Sequence, residues 1–145
     1  MRKFTALGFA ICGTLLVVLL FIAGRMLYVH LYSQSFADIA ETDTPAVLSI
    51  TENSTALPDI TDPGRISAFT ELLDSYTYKP YPHLFQPGKE QLTASCLTVT
   101  FENGNSIGVN ADGYVFIGGE LRDIEGSRGQ EFYHKLYVLV YPNAS

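Results

Sequence analysis

LTVTFENGNSIGVNADGYVFIGG, residues Leu97 to Gly119, is the stretch whose reading decides the architecture of the folded part of the chain. Leu97, Val99 and Phe101 alternate with Thr98 and Thr100, the period-two pattern of a strand with one buried face. Asn103-Gly104 follows, a pair that readily takes up the positive φ angles of a tight hairpin turn. Ile107 and Val109 resume the alternation, Asp112-Gly113 turns the chain again, and Tyr114 to Ile117 returns. Strands joined by such short turns form an antiparallel meander.

Upstream of the meander, Thr77 to Gln91 (TYKPYPHLFQPGKEQ) carries three prolines within eight positions. That spacing excludes a helix or a central strand, because each proline lacks a backbone donor. Before it stands a clear helix signal. Asp62 can cap, Pro63 suits the first helical position, and Ile66, Phe69, Leu72, Leu73 and Tyr76 form an apolar stripe. Phe69 and Leu72 are expected to be buried, with Arg65, Ser67, Thr70, Glu71 and Asp74 toward water. Ala46 to Ile50 reads as a first strand, Glu52 to Thr55 as a turn, and Ala56 to Thr61 as a proline-interrupted edge strand. At the far end, Gln130 to Tyr141 fits two periods. Phe132, Leu136, Leu139 and Val140 suit a helix, supported by the Glu131–Lys135 pair, while Phe132, Leu136, Val138 and Val140 suit a strand. The helix is preferred. The sum is an α+β fold: a small antiparallel sheet of four to five strands with one or two helices on one face, behind an N-terminal transmembrane helix.

That helix is read from composition. No residue from Phe4 to Gly24 is charged, and these 21 residues make a rod of about 31 Å, matching the ~30 Å hydrocarbon core of a bilayer. Twelve of them are Leu, Ile, Val or Phe, enough to make insertion favourable. Tyr28 and Tyr32 suit the headgroup layer. Arg2 and Lys3 precede the span and Arg25 follows it, a slight bias toward a cytoplasmic N-terminus with the rest of the chain outside. Cleavage after Ala23 or Gly24 would put Phe21 or Ile22 where a small residue is needed, so the anchor is expected to be retained. Ile11 before Cys12 likewise argues against lipidation there. The expected organisation is an anchor at 1–32, an acidic tether at 33–45 (SQSFADIAETDTP) and an extracytoplasmic domain at 46–145.

Charge excludes one class of function. Beyond Tyr32 lie six basic and all fifteen acidic residues, a net of −9, and such a field repels nucleic acid. Cys12 sits in the span and Cys96 in a strand, so they cannot pair. Cys96 with His83 or His134 as base is a conceivable nucleophile, against the ordinary reading of a small buried hydrophobe. Asn110-Ala111-Asp112-Gly113 hints at a calcium loop, but the ligand positions fall on Gly108 and Gly119, and a hairpin turn explains it better. Asp123/Glu125 and Glu71/Asp74 are carboxylate pairs of the kind that glycosidases use, or simply solvated acids. His30, His83 and His134 lack zinc spacing. No catalytic residue, metal site or cofactor emerges.

One segment invites binding. Tyr76, Tyr78, Tyr81, His83 and Phe85 alternate with Lys79, Pro80 and Pro82, and aromatic faces beside rigid prolines suit a protein or cell-wall partner. The competing reading is a lid over the sheet. Asn53-Ser54-Thr55 and Asn143-Ala144-Ser145 match the N-glycosylation pattern, which matters only in a eukaryotic secretory route.

The layout resembles a known kind of protein. An anchor, an acidic segment and a strand lead to ITDPGRISAFTELLDSY at Ile60–Tyr76, then to the Leu97–Gly119 meander and a closing EFYHKLYVLV. This is similar, over roughly residues 46–141, to the small extracytoplasmic domains of unknown function common in Gram-positive, clostridia-type bacteria. The resemblance implies a compartment and an α+β fold, and it supplies no functional residues. The expected function is an interaction or sensing module of the cell envelope. A small hydrolase using carboxylates or Cys96, and a structural subunit of another membrane protein, are the alternatives.

Overall fold

The computed structural model describes residues 2–92 and 94–143. The chain divides after Tyr32 into a helix and a folded domain that begins at Ser33. Helix α1 is Arg2–Leu31. Its stretch Thr5–Leu31 is long and apolar enough to cross a membrane. None of residues 5–31 is buried, so the apolar side chains stand outward all round, as lipid requires. Thr14 Oγ1 donates to the Ala10 carbonyl at 2.9 Å, which satisfies the hydroxyl within the helix. Tyr28 and Tyr32 stack one turn apart, ring centres 5.2 Å from each other.

The domain is α+β. Its strands are β1 (Ser49–Glu52), β2 (Thr55–Ala56), β3 (Tyr78–Pro80), β4 (Cys96–Thr100), β5 (Ser106–Asn110), β6 (Val115–Ile117) and β7 (Glu120–Ile124). Among the described residues they form one antiparallel sheet of seven strands in the order β2-β1-β4-β5-β6-β7-β3. The sheet is therefore larger than the four to five strands expected. The addition is β7 with its partner β3. Gly118 and Gly119, at φ 57° and 84°, turn β6 into β7 in two residues. Glu120, Arg122 and Asp123 interrupt the apolar alternation along β7, so the sequence pattern stops at Ile117.

Register puts the apolar residues on one face. Ile50 faces Val99 and Val99 faces Ile107, while Leu97, Val109 and Val115 form the next row. Helices α3 (Pro63–Asp74) and α5 (Gly129–Val140) join this core through Ile66, Phe69 and Leu73 and through Phe132 and Leu136. The last segment is thus a helix, as preferred. Asp62 caps α3, accepting from the Arg65 N–H at 2.9 Å, and Pro63 begins it. Phe69 is fully buried, whereas Leu72 is only partly so, because it lies on the flank of the stripe.

The acidic tether is corrected. Ser35 caps a short helix, α2 (Phe36–Ala40), through a reciprocal capping box with Asp38. Phe36, Ile39 and Ala40 are in the core, with the Phe36 ring edge-on to Phe101 at 5.5 Å. The side-chain amides of Asn103 and Asn105, from the β4–β5 turn, donate to the Ile39 carbonyl at 3.1 and 2.9 Å. Residues 33–40 are therefore built into the domain. The first strand also begins later than Ala46. The backbone N–H groups of Ala46 and Val47 donate to the Glu102 carboxylate, both at 3.1 Å, instead of joining a ladder. Leu48 pairs with Ile60 as an isolated bridge, and β2 is only two residues long, so the expected Ala56–Thr61 strand is mostly loop. The proline-rich segment, expected to contain no helix, ends in the short helix α4 (Lys89–Leu92).

A split aromatic segment and a helix groove as the candidate site

Tyr76 to Phe85 leaves α3, forms the edge strand β3 and then departs from the sheet. Within the sheet β3 pairs with β7, and on its other side, among the described residues, a bridge to Gln34 is made at Tyr78 and not at Pro80, so Pro80 sits where a missing donor costs nothing. This geometry divides the five aromatic candidates. Tyr76 and Tyr78 are core residues, 3% and 0% exposed. The Tyr78 hydroxyl donates to the Leu73 carbonyl at 2.8 Å, and burial drives its phenol far above the ordinary range. The Tyr76 ring packs on Phe132 at 4.9 Å, lies under the Arg128 guanidinium at 5.0 Å, and its hydroxyl donates to Glu131 at 3.3 Å. These two therefore leave the proposed ligand surface. Both are buried because β3 is held against β7, directing Tyr78 into the core beneath α5.

Beyond Pro80 the character changes. Tyr81 is half-buried, its ring edge-on to His83 at 5.3 Å. Burial raises the Tyr81 phenol, with Tyr114 and Asp123 adding to the effect. His83 is exposed, and so are Leu84 and Phe85, at 57% and 87%. From Ser33 onward, the large exposed hydrophobic residues among those described are Leu84, Phe85 and Val138. Two of the three are adjacent at this tip. Leu84 is not aromatic and so falls outside the alternating ring pattern of the sequence. Its signal was there, in an apolar pair between two prolines.

The far end of the segment is fixed to the sheet. Asn110, fully buried, donates from Nδ2 to the Gln91 carbonyl at 2.8 Å and accepts the Tyr114 N–H at 2.8 Å. Asn110 therefore organises the β5–β6 turn and pins α4, which explains the supposed calcium loop. Among the described residues no group of three His, Cys, Asp or Glu side chains is placed to hold a metal ion.

The remaining candidates each have local surroundings of their own. Cys96 Sγ lies 3.7 Å from Thr98 Oγ1 and 3.9 Å from the Leu97 carbonyl, and burial pushes its thiol up, away from thiolate. Asp123 is also raised by burial, with His83 and Lys79 opposing the shift. Glu125 pairs with Lys79 at 3.7 Å. Glu71 accepts from Ser67 on the outer face of α3, and Asp74 is exposed at that helix's end. Of the second glycosylation pattern, Ala144 and Ser145 lie outside the described residues. His134 lines a different feature. Between α3 and α5 runs a shallow apolar groove of about 470 Å³, lined by Leu72, His134, Lys135, Val138 and Leu139. The sequence could not outline it while the period of α5 was ambiguous. No family model, curated protein or solved structure matches the chain.

Proposed function

We propose that the chain is a single-pass membrane protein with a retained anchor and a cytoplasmic N-terminus, whose acidic domain is an interaction or sensing module of the cell envelope. Its working surface is the tip formed by Tyr81, His83, Leu84 and Phe85. The compartment rests on the apolar span, the order of charges around it and the likeness to clostridia-type envelope domains. The observation that carries the surface is the pairing of Leu84 and Phe85, 57% and 87% exposed, on a domain that otherwise buries nearly all of its large apolar side chains. Exposed apolar residues grouped on one projection mark contact surfaces rather than chance.

The test is site-directed photocrosslinking in intact cells. A photoreactive residue in place of Phe85 should form adducts that the same residue in place of Asp112, exposed on the β5–β6 turn, does not. Equal labelling from both positions would show that the tip is ordinary surface.

A further inference from the structure

We infer that the occupant of the tip is the lipid surface of the membrane that holds α1, with Leu84 and Phe85 entering the headgroup–acyl boundary. The inference rests on the reading above, that the tip is a working surface, and names what it touches. Three observations converge. The first is the side-chain chemistry. An adjacent Leu and Phe, flanked by Tyr81 and Pro82 on one side and Pro87 on the other, present apolar groups on a stiff projection, and the half-buried Tyr81, its ring against the exposed His83, supports its base. Apolar side chains of this kind settle ~5–10 Å into the boundary region.

The second is charge. The domain carries fifteen acids, yet none lies between Asp74 and Glu90. Lys79, His83 and Lys89 lie in that interval. Lys79 is engaged by Glu125 at 3.7 Å, while Lys89 is exposed. The segment thus brings no acid of its own to headgroup phosphates, and Asp123, which faces Tyr81 and His83 at its base, is opposed by Lys79 and His83.

The third is connectivity. Only Tyr32 and Ser33 separate the last residue of α1, Leu31, from Gln34, whose backbone exchanges hydrogen bonds with Tyr78 at 2.8 and 3.0 Å. The tip follows Tyr78 after only a few residues. Two apolar side chains bind a bilayer weakly from solution, but a short covalent link to a spanning helix makes the contact effectively intramolecular. A second contact with the bilayer restrains the domain, and it makes its posture sensitive to the lipid surface.

The chain contains no tryptophan, so Phe85→Trp introduces a single reporter. The full chain carrying F85W is reconstituted into phosphatidylcholine vesicles, with D112W as the water-facing reference and thermal melts to verify that both fold. The expected result is blue-shifted F85W emission, with a loss of intensity when the lipid is brominated near the top of its acyl chains. D112W should show neither. F85W emission equal to that of D112W and insensitive to brominated lipid would overturn the lipid contact, while adducts to protein in the crosslinking experiment would leave the working surface standing. Blue emission that no brominated lipid quenches would also overturn it, since the tip would then be covered by a second copy of this chain.

Discussion

The Tyr78 hydroxyl reaches the Leu73 carbonyl at 2.8 Å, and its ring stands edge-on to Phe132 at 6.5 Å. Tyr81, three residues on, has left the sheet. Tyr78→Ala should therefore cost about 3–5 kcal/mol, from the lost ring and an orphaned carbonyl. Tyr81→Ala should cost about 1 kcal/mol, the ordinary loss at a part-exposed position. Urea melts of the two single variants check this, and equal losses would mean that both rings are packed. Tyr141 offers a pH handle. Its hydroxyl donates to Glu52 at 2.6 Å, and that bond, helped by burial, pushes the phenol up to about 12. A phenol held above its unfolded value of about 10 contributes stability fully present below that pH, and loses it as pH rises through the folded value. The stability difference between the native chain and Tyr141→Phe should thus be positive at neutral pH and vanish between about pH 10 and about pH 12. Paired thermal melts across that range measure it; a difference that grows with pH would contradict the bond.

Among the elements, α5 depends on one close approach. Gly129, its first residue, lies against the backbone of Gly113 in the β5–β6 turn, where Gly113 takes φ +87°. A methyl group at Gly129 would collide with the Gly113 carbonyl and lie 2.9 Å from its Cα. Neither backbone can yield without moving the helix or the turn. Gly129→Ala should therefore destabilise the domain by about 1–3 kcal/mol, despite alanine's better helix propensity. Gly104→Ala makes a useful contrast, since φ +85° strains it but open space surrounds the new methyl. Melts in which Gly129→Ala is neutral or stabilising would mean that α5 sits further from the turn. The same docking explains why the closing segment is helical. Phe132 and Leu136 are fully buried while Val138, which a strand would place on their face, is 55% exposed, and the Lys135–Glu131 pair and the Tyr137–Tyr141 ring contact at 4.9 Å follow the same i,i+4 spacing.

At the scale of the whole chain, an apolar helix precedes a domain that starts almost at once. Protease added outside intact cells is expected to remove the domain and leave an N-terminal fragment in the membrane fraction. A soluble product in the medium beginning near Arg25 would instead show that the helix is cleaved off. Because Phe36 and Ile39 belong to the core, a truncated domain beginning at Ala46 should fold poorly, while one beginning at Ser33 keeps every core residue.

Several features were determined by neighbouring residues alone. The span of α1 follows from an uncharged run, α3 from Asp62-Pro63 and its stripe, and the β4–β5–β6 meander from alternation broken by Asn-Gly and Asp-Gly. Each is local, so nearby sequence is enough to specify it. The capping box at Ser35 and Asp38 was equally local, but five helical residues are too few to show a period. What tertiary structure decided was burial across distance. β7 joins the sheet despite its charges because Gly118-Gly119 folds it onto β6, and β3 then adds to its open edge. That pairing sends Tyr78 inward beneath Phe132 and releases Leu84 and Phe85 to the surface. Alternating aromatic residues look alike along a chain, and only the strand and helix that meet them divide core from contact surface.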